Sequence, residues 1–211
     1  MMTEKGRVLE RLLSGQFICQ VSDETSWRQL KQPAFAEAIN DMLAPLNRVL
    51  ATAADGNVFY TAYQSLGDPE RRHLGQQFQE IASQLRPLTE WLLLVQSTTG
   101  QDAPMSEGSP LRLTELQTVI EDTPALAEHL ARLARYRLFN STSPQPDQQL
   151  RQIFKRLTEM GYLIKPNPER LVFLATGKID YLFEVIRFID ESENLQLAER
   201  AESAHQQDSL L

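Results

Sequence analysis

One order of elements occurs twice in this 211-residue chain, and the repetition limits what it can fold into. In the first half, Val8, Leu9, Leu12 and Leu13 recur at helical spacing behind Thr3, a fitting N-cap. Phe17–Val21 reads as a short strand and Thr25–Leu30 as a short helix. Pro33 opens another helix through Ala44, with Phe35, Ala38, Ile39, Met42 and Leu43 on one apolar face. Arg48–Ala53 and Val58–Tyr63 are strand-like runs about Ala54-Asp55-Gly56-Asn57, where Asp-Gly is a strong hairpin signal.

The second half repeats this order. A long helix is predicted over Pro69–Thr98, burying Phe78, Ile81, Leu85, Leu88, Leu92 and Val95, with a bend at Pro87. Leu111-Arg112-Leu113 reads as a strand, Thr114 caps a helix through Ile120, and Pro124 starts one reaching Tyr136. Leu150, Ile153, Phe154, Leu157 and Met160 line one face of the next helix, which Gly161 ends in the C′ position. Tyr162–Lys165 and Leu171–Thr176 then form a hairpin around Pro166-Asn167-Pro168-Glu169. Gly177 leads into a last helix, Lys178–Asp190.

Helices followed by a two-stranded hairpin are the order of a winged helix-turn-helix. The expected fold is therefore α+β and mostly helical, a tandem winged helix-turn-helix with short hairpin wings. Residues 1–66 form the N-terminal unit, 67–98 a connecting helix, 99–110 a linker, 111–190 the C-terminal unit and 191–211 an acidic, flexible tail. Turn-forming residues mark Ser97–Pro110 and Asn140–Pro146 as loops.

The charge is uneven. The chain carries 21 Lys+Arg and 28 Asp+Glu, a net of −7. Residues 1–111 sum to −4, residues 112–178 to +3 and residues 179–211 to −6. An acidic total argues against nucleic acid, but the middle of the chain is mildly basic.

A winged helix that binds DNA offers basic and amide side chains from its second core helix. The Pro33–Ala44 helix fails this test, exposing Glu37, Asn40 and Asp41 without a single Lys or Arg. Its carboxylates would repel phosphates, so a protein partner fits it better. The helix before Gly161 exposes Gln148, Gln149, Arg151, Gln152, Lys155 and Arg156. Arg135 and Arg137 end the preceding helix, and Lys165 and Arg170 sit in the wing. The candidate DNA-binding set is Arg135, Arg137, Gln148, Arg151, Gln152, Lys155, Arg156, Lys165 and Arg170. Such residues also serve solubility on any exposed helix.

Catalytic and metal signatures are lacking. His73, His129 and His205 are scattered, the first two expected on exposed helix faces. No HExxH, GxSxG or Walker phosphate loop occurs. The lone Cys19 lies in an apolar run, where a buried small hydrophobe is the natural reading. No catalytic residue, metal site or cofactor is expected. No apolar run approaches the ~18 residues of a membrane span, and the first residues lack a signal-peptide pattern, so a soluble cytoplasmic protein is expected.

The last helix points to burial or a partner. Ile179, Leu182, Phe183, Ile186 and Ile189 make one apolar face, and Tyr181, Val185 and Phe188 widen it nearly all round. Such a helix is either sandwiched in the core or part of a subunit interface, with Tyr181, Val185 and Phe188 as the candidate contacts.

The layout over Phe17–Asp190 resembles the MukE/MksE family, the kleisin-interacting subunits of bacterial condensins, with MksE the closer fit. The resemblance rests on Phe17-Ile18, Asn57-Val58-Phe59-Tyr60, Arg151–Gly161 and Gly177-Lys178-Ile179-Asp180. It implies a non-enzymatic, nucleoid-associated homodimer without a cofactor. Its implied partners are an MksF-like kleisin, an MksB-like SMC ATPase reached through that kleisin, and DNA bound non-specifically. Chromosome organisation and plasmid defence are the two roles implied. A free-standing winged-helix transcription regulator is the alternative, and an enzyme with an unrecognised site a third.

Overall fold

The computed structural model describes residues 3–100 and 103–191. Eight α-helices and two small antiparallel sheets make up the described residues, an α+β arrangement dominated by helix. Helices α1 (Glu4–Leu13), α2 (Glu24–Leu30) and α3 (Pro33–Leu43) precede a hairpin of β1 (Arg48–Ala53) and β2 (Val58–Tyr63). There follow α4 (Asp68–Thr99), β3 (Pro110–Arg112), α5 (Leu113–Glu121), α6 (Pro124–Ala134) and α7 (Pro146–Glu159). Strands β4 (Leu163–Ile164) and β5 (Val172–Ala175) come next, and α8 covers residues 178–191. No helix among the described residues is long and apolar enough to cross a membrane. The expected acidic tail beyond residue 191, including His205, lies outside the described residues.

Local chemistry sets most boundaries. Thr3 caps α1 by accepting a hydrogen bond from the Gly6 N–H at 3.1 Å, a contact worth ~1 kcal/mol. Pro33 and Pro124 stand in the first turns of α3 and α6, where a missing N–H breaks no helical bond. Strands β1 and β2 pair from Arg48↔Tyr63 to Ala53↔Val58, leaving the four-residue turn that Asp55-Gly56 announced. Helix α7 buries Leu150, Ile153, Phe154 and Leu157. It ends where Gly161, at φ 78°, lets the Tyr162 N–H reach back to the Leu157 carbonyl at 2.9 Å.

Two cores result. The first unit gathers Val8, Leu12, Ile18, Leu30, Ile39, Leu43 and Phe59. The second runs from Leu88, Trp91 and Leu94 of α4 through α5–α7 to Ile179 and Leu182 of α8. Strand order repeats with them. Ile18 bridges Phe59 of β2, giving the order Ile18–β2–β1, and the second sheet is ordered β3–β5–β4. In each unit the segment ahead of the helices lies beside the second hairpin strand.

Several expectations need correction. The strand over Phe17–Val21 contracts to the bridge at Ile18, because the Asp23 N–H donates to the Cys19 carbonyl and turns the chain at once. The supposed linker is an anchored strap. Helix α4 continues to Thr99, Met105 packs on the second core, and Gly108 N–H donates to the Ala175 carbonyl at 2.9 Å. Phe78, expected inside, is 47% exposed, because the second core reaches α4 only from Leu85 onward.

Candidate nucleic-acid interface

The basic candidates sort into free and committed groups. Arg151 and Lys155 are exposed on α7, while Arg135 and Arg137 are exposed just beyond α6. Two hydrogen bonds bring these segments together. Gln152 Nε2 donates to the Phe139 carbonyl at 3.1 Å, and Arg156 Nε to the Leu138 carbonyl at 3.0 Å. Gln152 and Arg156 therefore hold the segment after α6 against α7. Arg156 also pairs with Glu159 at 2.7 Å, and Lys155 lies 3.9 Å from the same carboxylate. Exposed pairs of this kind contribute ~0–1 kcal/mol, so phosphate could displace Lys155 from Glu159 at little cost.

Elsewhere the set divides further. Gln148 remains exposed, bonded to Ser143 and Gln145 in the loop before α7. Gln149 was expected outside but is 5% exposed, its amide donating to the Ser143 carbonyl at 2.8 Å. In the wing, Lys165 donates to the Pro168 carbonyl of the same turn at 2.6 Å, and Arg170 stays exposed. Arg135, Arg137, Arg151 and Arg170 form no ion pair among the described residues.

Helix α3, its counterpart in the first unit, has a different surface. Glu37, Asp41 and Met42 are exposed. Asn40 is committed to the fold, its side-chain oxygen accepting the Leu50 N–H at 2.7 Å. The two equivalent helices thus present opposite charge.

Sequence reasoning missed how the two units join. The start of α8 wedges against the first sheet. Gly177 N–H donates to Cys19 Sγ at 3.2 Å, and a Cβ on Gly177 would collide with Val58 Cγ2. Cys19 is fully buried there, as its apolar surroundings predicted, and burial pushes its thiol pKa up. Phe17, Tyr60 and Tyr181 pack beside it, with ring centroids 4.8–5.3 Å apart, Phe17 stacked on Tyr60 and Tyr181 tilted against both. Tyr181 is consequently packed against the first unit within the chain. Val185 is half-buried, Phe188 is 59% exposed, and Leu182 and Ile179 lie in the core, so α8 is chiefly a sandwiched helix.

Polar groups complete the junction. Lys178, whose pKa burial lowers, donates to the Met160 carbonyl at 2.8 Å and lies 5.3 Å and 4.8 Å from the Phe17 and Tyr162 ring centres. Burial pushes the Tyr162 hydroxyl up to about 12. Glu107 Oε1 accepts the Val21 N–H at 2.9 Å, and Glu184 Oε1 accepts the Ala54 N–H at 2.7 Å. Asp180 accepts the Glu107 N–H at 3.0 Å. Burial, with Glu107 and Glu184 nearby, raises its carboxyl pKa. The only hint of this junction in the sequence was Gly177 after the second hairpin. Of the histidines, His73 is exposed with its edge to Tyr63, whereas His129 is half-buried against expectation.

These observations define a two-unit α+β protein with a basic helix face in one unit and an acidic one in the other. Its sequence matches no protein-family model and no curated protein.

Proposed function

We propose that the chain is a tandem winged-helix protein that serves as a non-enzymatic accessory subunit of an SMC-like bacterial condensin, of the MukE/MksE kind. The repeated strand order supports the winged-helix part of this reading, since Ile18–β2–β1 and β3–β5–β4 place the same three segments in the same sequence. The division of labour rests on one observation. Arg151 and Lys155 stand exposed on α7 beside the Arg135–Arg137 segment, whereas α3 shows Glu37 and Asp41 at the equivalent place. The second unit then contacts DNA backbone non-specifically, and the first unit, through its acidic α3 face, meets protein, in this reading the kleisin. ATP hydrolysis belongs to the SMC-like partner, and the assembly works on the nucleoid.

Co-purification with a candidate kleisin, followed by DNA binding across several salt concentrations, tests the proposal. The complex should form, and R151E/K155E should weaken its DNA affinity without releasing the kleisin. Each lost phosphate contact should flatten the slope of log affinity against log salt by about one. Tight, sequence-specific binding by the chain alone, with no kleisin bound, would refute this reading and favour a transcription regulator.

A further inference from the structure

Large apolar side chains crowd one corner of the first unit. Met42, Leu46 and Leu66 are 47%, 54% and 47% exposed, three of the eight large apolar side chains that stand exposed among the described residues. Ala44 and Pro45 are exposed as well. Met42 lies in the last turn of α3, and Ala44–Leu46 continue from it as a short 3-10 turn. Leu66 follows β2, and Asn47 clasps it to the same corner. The Asn47 side-chain amide donates to the Ser65 carbonyl at 3.1 Å, while the Ser65 N–H and hydroxyl donate to Asn47 Oδ1 at 3.0 and 2.8 Å. A lone exposed apolar residue is ordinary, but a group of them on a fixed frame marks a contact surface.

The border of this corner is acidic. From Gln32 to Asn47 there is no Lys or Arg, and Glu37 and Asp41 stand exposed one turn apart on α3. Asp68 and Glu70 follow Leu66. None of these four carboxylates is in an ion pair among the described residues. The cations nearest in sequence are already engaged. Arg48 lies over the Tyr63 ring, its Cζ 3.5 Å from the centroid, and Arg71 Nε donates to the Leu66 carbonyl at 3.3 Å.

We infer that this corner docks a basic amphipathic segment of a partner protein. Apolar side chains of the segment seat on Met42, Leu46 and Leu66, and its Lys or Arg side chains lie beside Glu37, Asp41 and Asp68. Charge complementarity chooses this occupant. An acidic segment or a nucleic acid is repelled by the unpaired carboxylates, and a second copy of the corner would set the same carboxylates against each other. The clasp holds Leu46 and Leu66 in place before binding, so little ordering cost falls on this side. The inference deepens the reading of the first unit as the part that meets protein, and it rests on that reading and not on the partner being a kleisin.

A phage-displayed random peptide library panned on the full chain supplies the probe. Enriched peptides should carry large apolar residues flanked by Lys or Arg. Followed by fluorescence anisotropy, a synthetic peptide of that sequence should lose roughly tenfold or more in affinity with Leu46→Lys or Leu66→Lys. It should lose nothing with Val119→Lys, an exposed apolar position on α5. Both corner variants replace exposed side chains, so the far-ultraviolet dichroism spectrum should stay unchanged. Failure to enrich any peptide, enrichment of acidic or uncharged ones, or full affinity for both corner variants overturns the inference. So does a chain that light scattering shows as two copies and that falls to one copy with Leu46→Lys, since the corner would then be covered by its own kind. No kleisin enters these measurements, so a kleisin that fails to co-purify overturns the condensin reading and leaves this surface standing.

Discussion

Gly177→Ala is the sharpest probe of how the two units are joined. The Gly177 backbone lies outside the left-handed region, so an alanine there meets no torsional penalty and only space decides the outcome. That space is occupied. The added methyl would collide with Val58 Cγ2 and lie 3.0 Å from Cys19 Cβ and 3.3 Å from Glu107 Oε2. Val58 and Cys19 are both fully buried and cannot swing into solvent. Overpacking of this kind costs about 1–3 kcal/mol, which lowers the melting midpoint of a chain this size by roughly 2–12 °C. Thermal unfolding followed by circular dichroism reads the shift. A second variant isolates the cause: Val58→Ala removes the blocking methyl, so Gly177→Ala should cost less in that background, by a coupling of about 0.5–3 kcal/mol. If Gly177→Ala leaves the midpoint unchanged, or the two substitutions simply add, the close seating of α8 on the first sheet is wrong.

Two further outcomes follow from the same geometry. Asp180 holds its proton more tightly folded than unfolded, because burial and then the neighbouring carboxylates oppose its charge. A raised acid pKa makes the ionised form a liability that is complete above the folded pKa and vanishes below the unfolded one. Asp180→Asn retains an acceptor for the Glu107 N–H and should raise the unfolding midpoint at neutral pH, with the difference fading as pH falls towards 4; a midpoint gain that persists in acid contradicts this assignment. In the loop before α7, Gln149→Ala leaves the Ser143 carbonyl without its buried donor and should cost about 1–3 kcal/mol, whereas Gln148→Ala at the exposed neighbour should stay within about 0.5 kcal/mol in denaturant titration.

How much of this was legible in the sequence depended on the range of the interaction concerned. The β1–β2 hairpin could be read to the residue because its turn chemistry and its paired strands lie within sixteen positions of one another. The same holds for the end of α7, where Gly161 and the apolar face of Leu150, Ile153, Phe154 and Leu157 act within one helix. The candidate interface was only half legible. Sequence showed which helix was basic, but Arg156 and Gln152 each satisfy a backbone carbonyl that folding brings to them, and no periodicity reveals such a carbonyl.

Helix periodicity gives the direction of a face, never whether something lies opposite it. Phe78 shares the seam of Leu85 and Leu92, yet the second core reaches only the latter two. Likewise the charged Glu107 in an apparent linker and the glycine at 177 acquire their roles from groups 86 and 158 positions away. The sequence by itself determined the elements, their order and the contrast of charge between α3 and α7, because helix phase, turns and caps are local. Only the tertiary structure decided which faces are covered and which polar groups are spent, because burial depends on what the rest of the chain places against each surface.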